Sequence, residues 1–300
     1  MLAICSLPVA AQRKNIVLIA GDQEYRSEES LPALAKILAK RGFHCTVLYS
    51  TNRQTGAIDP STIDNIPGLE ALRHADLAVM FMRWLELPDE QTKEIIDYTN
   101  AGKPIVSLRT NTHPFHYVKH LDSAYVKYDY ASKDPAGGYG RLVIGETWVR
   151  HWGRHQQEAT RATPAPGMEN HPILRGVKDV FGESDVYEVT TLSGDSQPLL
   201  MGQVLSGMEP TSPPKTDKKP MPVAWVKTFN GGRVFATTMG HANDFKNEGF
   251  RRTVVNGCYW ALGLEKKITP TDNVDFVGTY DPNPIGLNKQ KKDLKPVALK

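Results

Sequence analysis

Ile16-Val-Leu-Ile-Ala20, followed by Gly21-Asp-Gln-Glu-Tyr-Arg-Ser-Glu-Glu29, is an apolar run that empties into a strongly polar loop. A helical pattern starts soon after it, near Ser30. In a chain that alternates strands and helices, the loop after the first strand lies at the carboxyl edge of a parallel sheet, where such folds bind ligands. Connections there commonly need about 2–6 residues. This one is longer and carries Asp22, Glu24, Glu28 and Glu29 together with Tyr25 and Arg26. It is expected to be a binding or catalytic loop.

The alternation continues outward from this point. Leu31–Arg41 has a helical pattern, with Ser30 as N-cap, Pro32 tolerated in the first turn and Gly42 closing it. Phe43–Tyr49 predicts a second strand, Gly68–His74 a short helix and Asp76–Met82 a third strand. Pro88–Ala101 predicts a helix with acids in its first turn, and Pro104–Leu108 a fourth strand. Strands separated by helices argue for a parallel sheet with right-handed crossovers. The middle, Thr110–Pro172, has no clean period and is rich in Gly, His, Tyr and Trp. Long irregular stretches in compact domains tend to be functional. Closer-spaced strand patterns follow at Val186–Thr191, Pro198–Val204, Val223–Phe229 and Arg233–Thr238, the last two joined by Asn230-Gly231-Gly232, a hairpin signal. Ser206–Pro222 reads as a solvated excursion, and Asn247–Leu262 as an amphipathic helix. The expected fold is α/β, a mainly parallel sheet flanked by helices, with a β-rich addition in the C-terminal half.

Composition narrows the function classes. The chain has 300 residues, a hydrophobic share of 40% and a charged share of 23%, ordinary for a soluble globular protein. Its net charge of +3 owes much to Lys289, Lys291, Lys292, Lys295 and Lys300, without a basic patch interleaved with aromatics, so nucleic acid is not an expected partner. No apolar run approaches the about 18–20 residues of a membrane span. Residues 1–11 are apolar and small and end in Val9-Ala10-Ala11, which fits the end of a secretory signal without its basic start, truncated at the front. Export, periplasmic or extracellular, is therefore expected. Cys45 and Cys258 fall in apolar surroundings and read as buried hydrophobes.

Several motifs together carry a family resemblance. Asn15–Ala20 with the Gly21–Glu29 loop, Gly102-Lys-Pro-Ile-Val-Ser-Leu-Arg-Thr-Asn-Thr-His-Pro-Phe115, His171-Pro-Ile-Leu-Arg-Gly176, Pro222-Val-Ala-Trp225, Gly232-Arg-Val-Phe-Ala-Thr-Thr-Met-Gly-His241 and Asn256–Gly263 resemble the ThuA-like (trehalose utilisation) family. The likeness is to its secreted branch in polysaccharide-degrading bacteria and spans residues 14–265 as a single domain, leaving 266–300 as an extended tail. It implies a flavodoxin-like sheet of the class I glutamine amidotransferase type and a setting in sugar catabolism, notably of disaccharides oxidised to 3-keto forms. Amidotransferase chemistry itself needs a cysteine nucleophile at a sharp strand-to-helix turn. The equivalent position follows Pro104–Leu108, where the chain reads Arg109-Thr-Asn-Thr-His113. Glutaminase activity is not expected.

The candidate residues cluster at loops. Asp22 and Glu24 sit nearest the first strand end, whereas Glu28 and Glu29 fit helix-end electrostatics. Tyr25 and Arg26 share that loop. Arg83 and Trp84 follow the third strand and suit a sugar ring, one with donors and the other with a flat face. Arg109 would bind an anion or carbonyl oxygen, and His113 or His116 would serve as acid or base. In Glu146-Thr-Trp-Val-Arg-His-Trp-Gly-Arg-His155, a helical conformation would put His151 and His155 on one face, compatible with a shared metal. Asp185, Tyr187 and His241 are placed by the family's fold on loops approaching the same edge.

These residues define an expectation of function. Glu24, His113, His151 and His155 are the acid–base candidates. Asp22, Tyr25, Arg26, Arg83, Trp84, Arg109, Glu146, Asp185, Tyr187 and His241 are the substrate-binding ones. The expected substrate is a small molecule or oligosaccharide, a keto-sugar or glycoside, and the chemistry isomerisation, epimerisation or bond cleavage. No cofactor is identifiable; a divalent metal at His151 and His155 would make the chain a metal-dependent hydrolase. A further alternative is a non-catalytic saccharide-binding protein on an amidotransferase-like scaffold.

Overall fold

A computed structural model of the chain describes residues 13–297. The leader-like residues 1–11 lie outside them. Strands β1 (Asn15–Gly21), β2 (His44–Tyr49), β3 (Leu77–Met82) and β4 (Ile105–Leu108) lie side by side and parallel, in the order β2-β1-β3-β4. That is the flavodoxin-like order. Alternate residues of β1 explain the layering. Ile16, Leu18 and Ala20 pack with helices α1 (Ser27–Lys40) and α3 (Glu248–Ala261) on one face. Val17 and Ile19 pack with α2 (Asp89–Asn100) and the short turn Leu69–His74 on the other.

The sheet does not end at β4. It runs on through β9 (Gly232–Thr237), β8 (Met221–Phe229), β7 (Gln197–Val204), β5 (Thr160–Pro164) and β6 (Val180–Gly182) to nine strands. β9 pairs parallel with β4, completing a five-strand parallel half. The remaining pairings, β9–β8, β8–β7, β7–β5 and β5–β6, are antiparallel. The expectation of a mainly parallel sheet is corrected accordingly: the sheet is mixed, half of each kind. The physical reason is that the β-rich addition is no separate layer but continues the sheet edge-on, through a hairpin whose Asn230 (φ 48°) and Gly231 (φ 85°) both take the left-handed backbone of a type I′ turn.

Local differences from the sequence reading have local causes. Helix α1 begins at Ser27, with Arg26 (φ 61°) as N-cap, so Ser30 is buried one turn inside and Glu28 and Glu29 are part of the first turn. Val186–Thr191 forms no strand of the sheet; it meets the loop before it through an isolated bridge, His151 to Tyr187. The short β5 and β6 carried too little pattern to be anticipated. Among the described residues, no helix is long and apolar enough to cross a membrane.

This topology positions the site. The parallel strands β1, β3, β4 and β9 all end at one edge, so the loops that begin at Asp22, Arg83, Arg109 and Thr238 meet there. The segments before β5 and after β6 arrive at the same place, as the contact of Arg109 with Asp185 shows.

Candidate functional site

Three junctions at this edge hold non-glycine residues in the left-handed region: Arg26 after β1, Trp84 (φ 46°) after β3 and Arg109 (φ 40°) after β4. Such conformations cost about 1–3 kcal/mol each and persist where surrounding structure over-determines them. At Arg109 the chain turns sharply out of β4, with the arginine at the apex of the turn. The two cysteines among the described residues are elsewhere, buried in β2 and α3, and burial pushes the Cys45 thiol up to about 12 and Cys258 higher still.

The first loop is organised by Asp22. Its carboxylate accepts from the backbone N–H groups of Glu24 (2.9 Å) and Tyr25 and from the Thr110 hydroxyl (2.8 Å), and it is fully buried. This arrangement turns Glu24 toward solvent. One Glu24 oxygen pairs with the Arg83 guanidinium at 3.1 Å and the other lies 3.3 Å from His155 Nε2. Arg83 is fixed in turn by Gln23, whose side-chain oxygen accepts from it at 3.1 Å, and by stacking on Trp84 at 3.8 Å.

Asp185 is the centre of the cluster. Its Oδ1 lies 3.0 Å from His155 Nδ1 and 3.4 Å from the Arg109 guanidinium, and its Oδ2 meets His151 Nδ1. The two imidazoles are 4.9 Å apart between ring centres. No helix brings them together, so that expectation is corrected: Trp152 N–H donates to Val186 O (2.7 Å) and Glu188 N–H to Arg150 O (2.9 Å), pairing the 150–152 backbone with 186–188 in extended form. Gly153 then passes so close to Asp185 that a Cβ there would sit 3.3 Å from the Asp185 Cβ.

Electrostatics follow from this geometry. Burial pushes the Asp185 carboxyl upward, but hydrogen bonds from His151 and His155 and the charge of Arg109 outweigh it and hold the group well below the usual carboxylate range. Burial likewise opposes Glu24, and contact with His155 and the Arg83 charge prevails to lower it. His155, hydrogen-bonded by Asp185 and then Glu24, is raised to about 9 and is cationic at neutral pH. The linkage has a definite sign. The folded value lies above the ordinary one near 6.5, so the stabilisation is complete below about pH 6.5 and is lost as pH rises through about 9. Between pH 6 and 9.5 the unfolding free energy is expected to fall by on the order of 2 kcal/mol, discounted for a side chain 29% exposed. His155→Gln is expected to flatten that slope in urea titrations; an unchanged slope would remove the assignment.

An aromatic wall stands beside the cluster. Trp84 contacts Trp148 (6.2 Å) and Tyr130 (5.9 Å), and Trp148 contacts His151 (6.0 Å). His116 joins at 6.3 Å from Trp84. Tyr130 was not anticipated; it lies in the aperiodic middle, where only its residue type hinted at a role.

The structure brings Glu24, Arg83, Trp84, His151 and His155 to one accessible surface, with Asp185 directly beneath. The other candidates are placed differently, inside the protein. Arg109 is 0% exposed; it donates to Asp185 O (2.9 Å) and Thr238 O (3.3 Å) and stacks 3.9 Å from the Tyr25 ring, so it supports Asp185 from below. Tyr25 and Tyr187 are buried against that guanidinium, and Asp22 holds the loop. Arg26 is sealed inside, donating to Gln23 O and Gly286 O, both at 2.9 Å. Glu146 is a loop clamp that accepts from Arg141, Thr147 and the backbone of Thr190 and Thr191. His113 and His241 are buried; desolvation, then nearby arginine charge, keeps both neutral. His113 sits under Trp84 and Trp148, its Nδ1 on Thr112 Oγ1 at 3.0 Å.

Ligand atoms of His151, His155 and Asp185 lie within 4.8 Å of one another, a donor set that suits a divalent ion of the zinc type. An ion there would have to replace the imidazole protons that now face Asp185.

Comparison with known proteins adds to this geometry. No protein of curated function matches the chain. Among solved structures, a ThuA-like protein from Parabacteroides merdae superposes with a TM-score of 0.55 at 16% identity, over 84% of this chain and 90% of that one. A ThuA-like protein from Bacteroides uniformis gives 0.52 at 15% identity, over 88% and 99%. At such identities the likeness speaks for the fold. The family model described as trehalose utilisation matches residues 15–261. The chain therefore belongs to the ThuA family.

Proposed function

We propose that the chain is a carbohydrate-active enzyme that moves a proton next to a sugar carbonyl, on a keto-sugar or a glycoside. The observation that carries this reading is the single buried carboxylate of Asp185 oriented between two histidines at a solvent-facing aromatic wall. A His151 that donates Nδ1–H to Asp185 and is otherwise unprotonated would carry its lone pair on Nε2, the tautomer a general base needs. The Arg83 guanidinium would stabilise the oxygen of the resulting enolate, and Glu24 holds it beside the positive charge of His155, whose two nitrogens face Asp185 and Glu24. The net step is removal of a C–H proton by His151 and its return to carbon or oxygen, which gives isomerisation, epimerisation or elimination of a β-linked leaving group. The family's description, trehalose utilisation, supports a sugar as substrate. The composition of residues 1–11 supports export.

Turnover of 3-keto-glycosides tests it. His151→Ala is expected to lower kcat by about 10²–10⁴-fold with little change in KM. A variant as fast as the wild type would eliminate His151 as the base.

A second reading rests on the three clustered ligand atoms: a divalent ion held by His151, His155 and Asp185 in a hydrolase. Elemental analysis with a chelator test separates the two. Full activity in metal-free protein would leave only proton transfer by the side chains.

A further inference from the structure

Beside the cluster lies a surface groove that the proton-transfer chemistry leaves unused. It encloses about 450 Å³, lined by the apolar Ile63, Trp84, Val118 and Leu287 and by polar side chains, Gln23, Ser61 and Arg83 among them. Val118 and Leu287 are open to solvent, at 62% and 59% exposure. Covering such side chains is favourable. The volume is within the range of small-molecule sites, about 300–1,000 Å³.

The groove is continuous with the candidate site. Arg83 belongs to both, since its guanidinium pairs with Glu24 at 3.1 Å. Trp84 borders both and reaches His151 through one intervening ring, Trp148. The C-terminal segment is pinned in place by the catalytic loop itself. Gly286 N–H donates to Glu24 O at 2.9 Å, and Gly286 O accepts from the buried Arg26 guanidinium at 2.9 Å. Leu287 follows directly and supplies one wall. The loop that presents Glu24 thus also fixes the wall of its neighbour groove.

We propose that this groove is the leaving-group subsite of a glycoside and takes an apolar, planar aglycone of the phenyl type. The inference rests on the reading above in that the sugar ring must lie toward His151. A planar ring can pack against the Arg83–Trp84 stack, with Val118 and Leu287 beside it. A second sugar would find partners at Gln23, Ser61 and Asn288, but its hydroxyls over Ile63, Val118 and Leu287 would lose water without gaining any.

Calorimetry with phenyl and methyl β-glucosides, and with their 3-keto forms, tests the assignment. The wild type is expected to bind the phenyl compound about tenfold or more tightly than the methyl one. Leu287→Asp and, separately, Val118→Asp are each expected to shrink that ratio by about tenfold. Both positions are open to solvent, so folding should survive the change. Preferential phenyl binding without turnover of either keto form would retire the proton-transfer reading and keep the subsite. A wild-type ratio near one, or a ratio unmoved by both substitutions, overturns the subsite. So does a wild-type dimer that these substitutions dissociate, which would assign the groove to a second copy of the chain.

Discussion

Asp185→Asn is expected to lower turnover of a keto-glycoside by about 10²–10⁴-fold and to cost about 3 kcal/mol of stability. The carboxylate currently serves His151, His155 and Arg109 at once. An asparagine carbonyl can accept from one imidazole, while its amide would point N–H bonds at the other. One histidine must then rotate away or change tautomer. Arg109 keeps the main-chain oxygens of Asp185 and Thr238 but loses its compensating charge in a place without solvent. Removing one member of a buried ion pair costs about 3–5 kcal/mol; the retained carbonyl bonds argue for the lower end. His155 should also titrate below its present value of about 9, because Asp185 is the first cause of that elevation. Turnover within threefold of wild type would show that the histidines do not depend on Asp185.

Arg109→Met is expected to destabilise the fold by about 3–5 kcal/mol. The guanidinium fills the space beside the rings of Tyr25 and Tyr187, 3.9 and 5.1 Å away, and satisfies two carbonyls. Methionine recovers part of the volume and none of the hydrogen bonds. Arg109→Lys is expected to recover little, since one ammonium cannot reproduce the planar fork. A diagnostic readout accompanies the stability loss. Arg109 helps to keep His113 and His241 neutral, behind the larger effect of burial, so both should titrate at higher pH in the variant. A loss below about 1 kcal/mol, the range of a surface pair, would mean that Arg109 is not the support of the cluster.

Much of the fold was legible because β1, β3 and β4 are apolar runs bounded by helix signals, and parallel strands force their following loops to one edge. The Gly21–Glu29 loop, Arg83, Trp84 and Arg109 could be placed at that edge for the same reason. What the residue pattern could not resolve was depth. At a sheet edge, polar side chains that meet a substrate and those that brace them from below have the same composition. Asp22, Arg26 and Arg109 turned out to be braces, each with backbone or carboxylate partners inside the protein. The grouping of His151 and His155 was anticipated, but through helical spacing, whereas the chain achieves it with Gly153 and a bridge to residues 186–188. Asp185 lies 34 residues from His151, and no local rule links them. The tail carries no motif either; the bonds of Gly286 to Glu24 and Arg26 reveal that it borders the site.

The most direct test of a proton-moving cluster on Asp185 is solvent exchange at the carbon beside the carbonyl of a 3-keto-glucoside, followed by NMR in deuterated water. It needs no knowledge of the reaction's direction or final product. Wild-type protein should incorporate deuterium there, and His151→Ala and Asp185→Asn should each slow incorporation by about a hundredfold or more. Incorporation no faster than in protein-free buffer, or equally fast in both variants, would refute the acid–base role of the histidines.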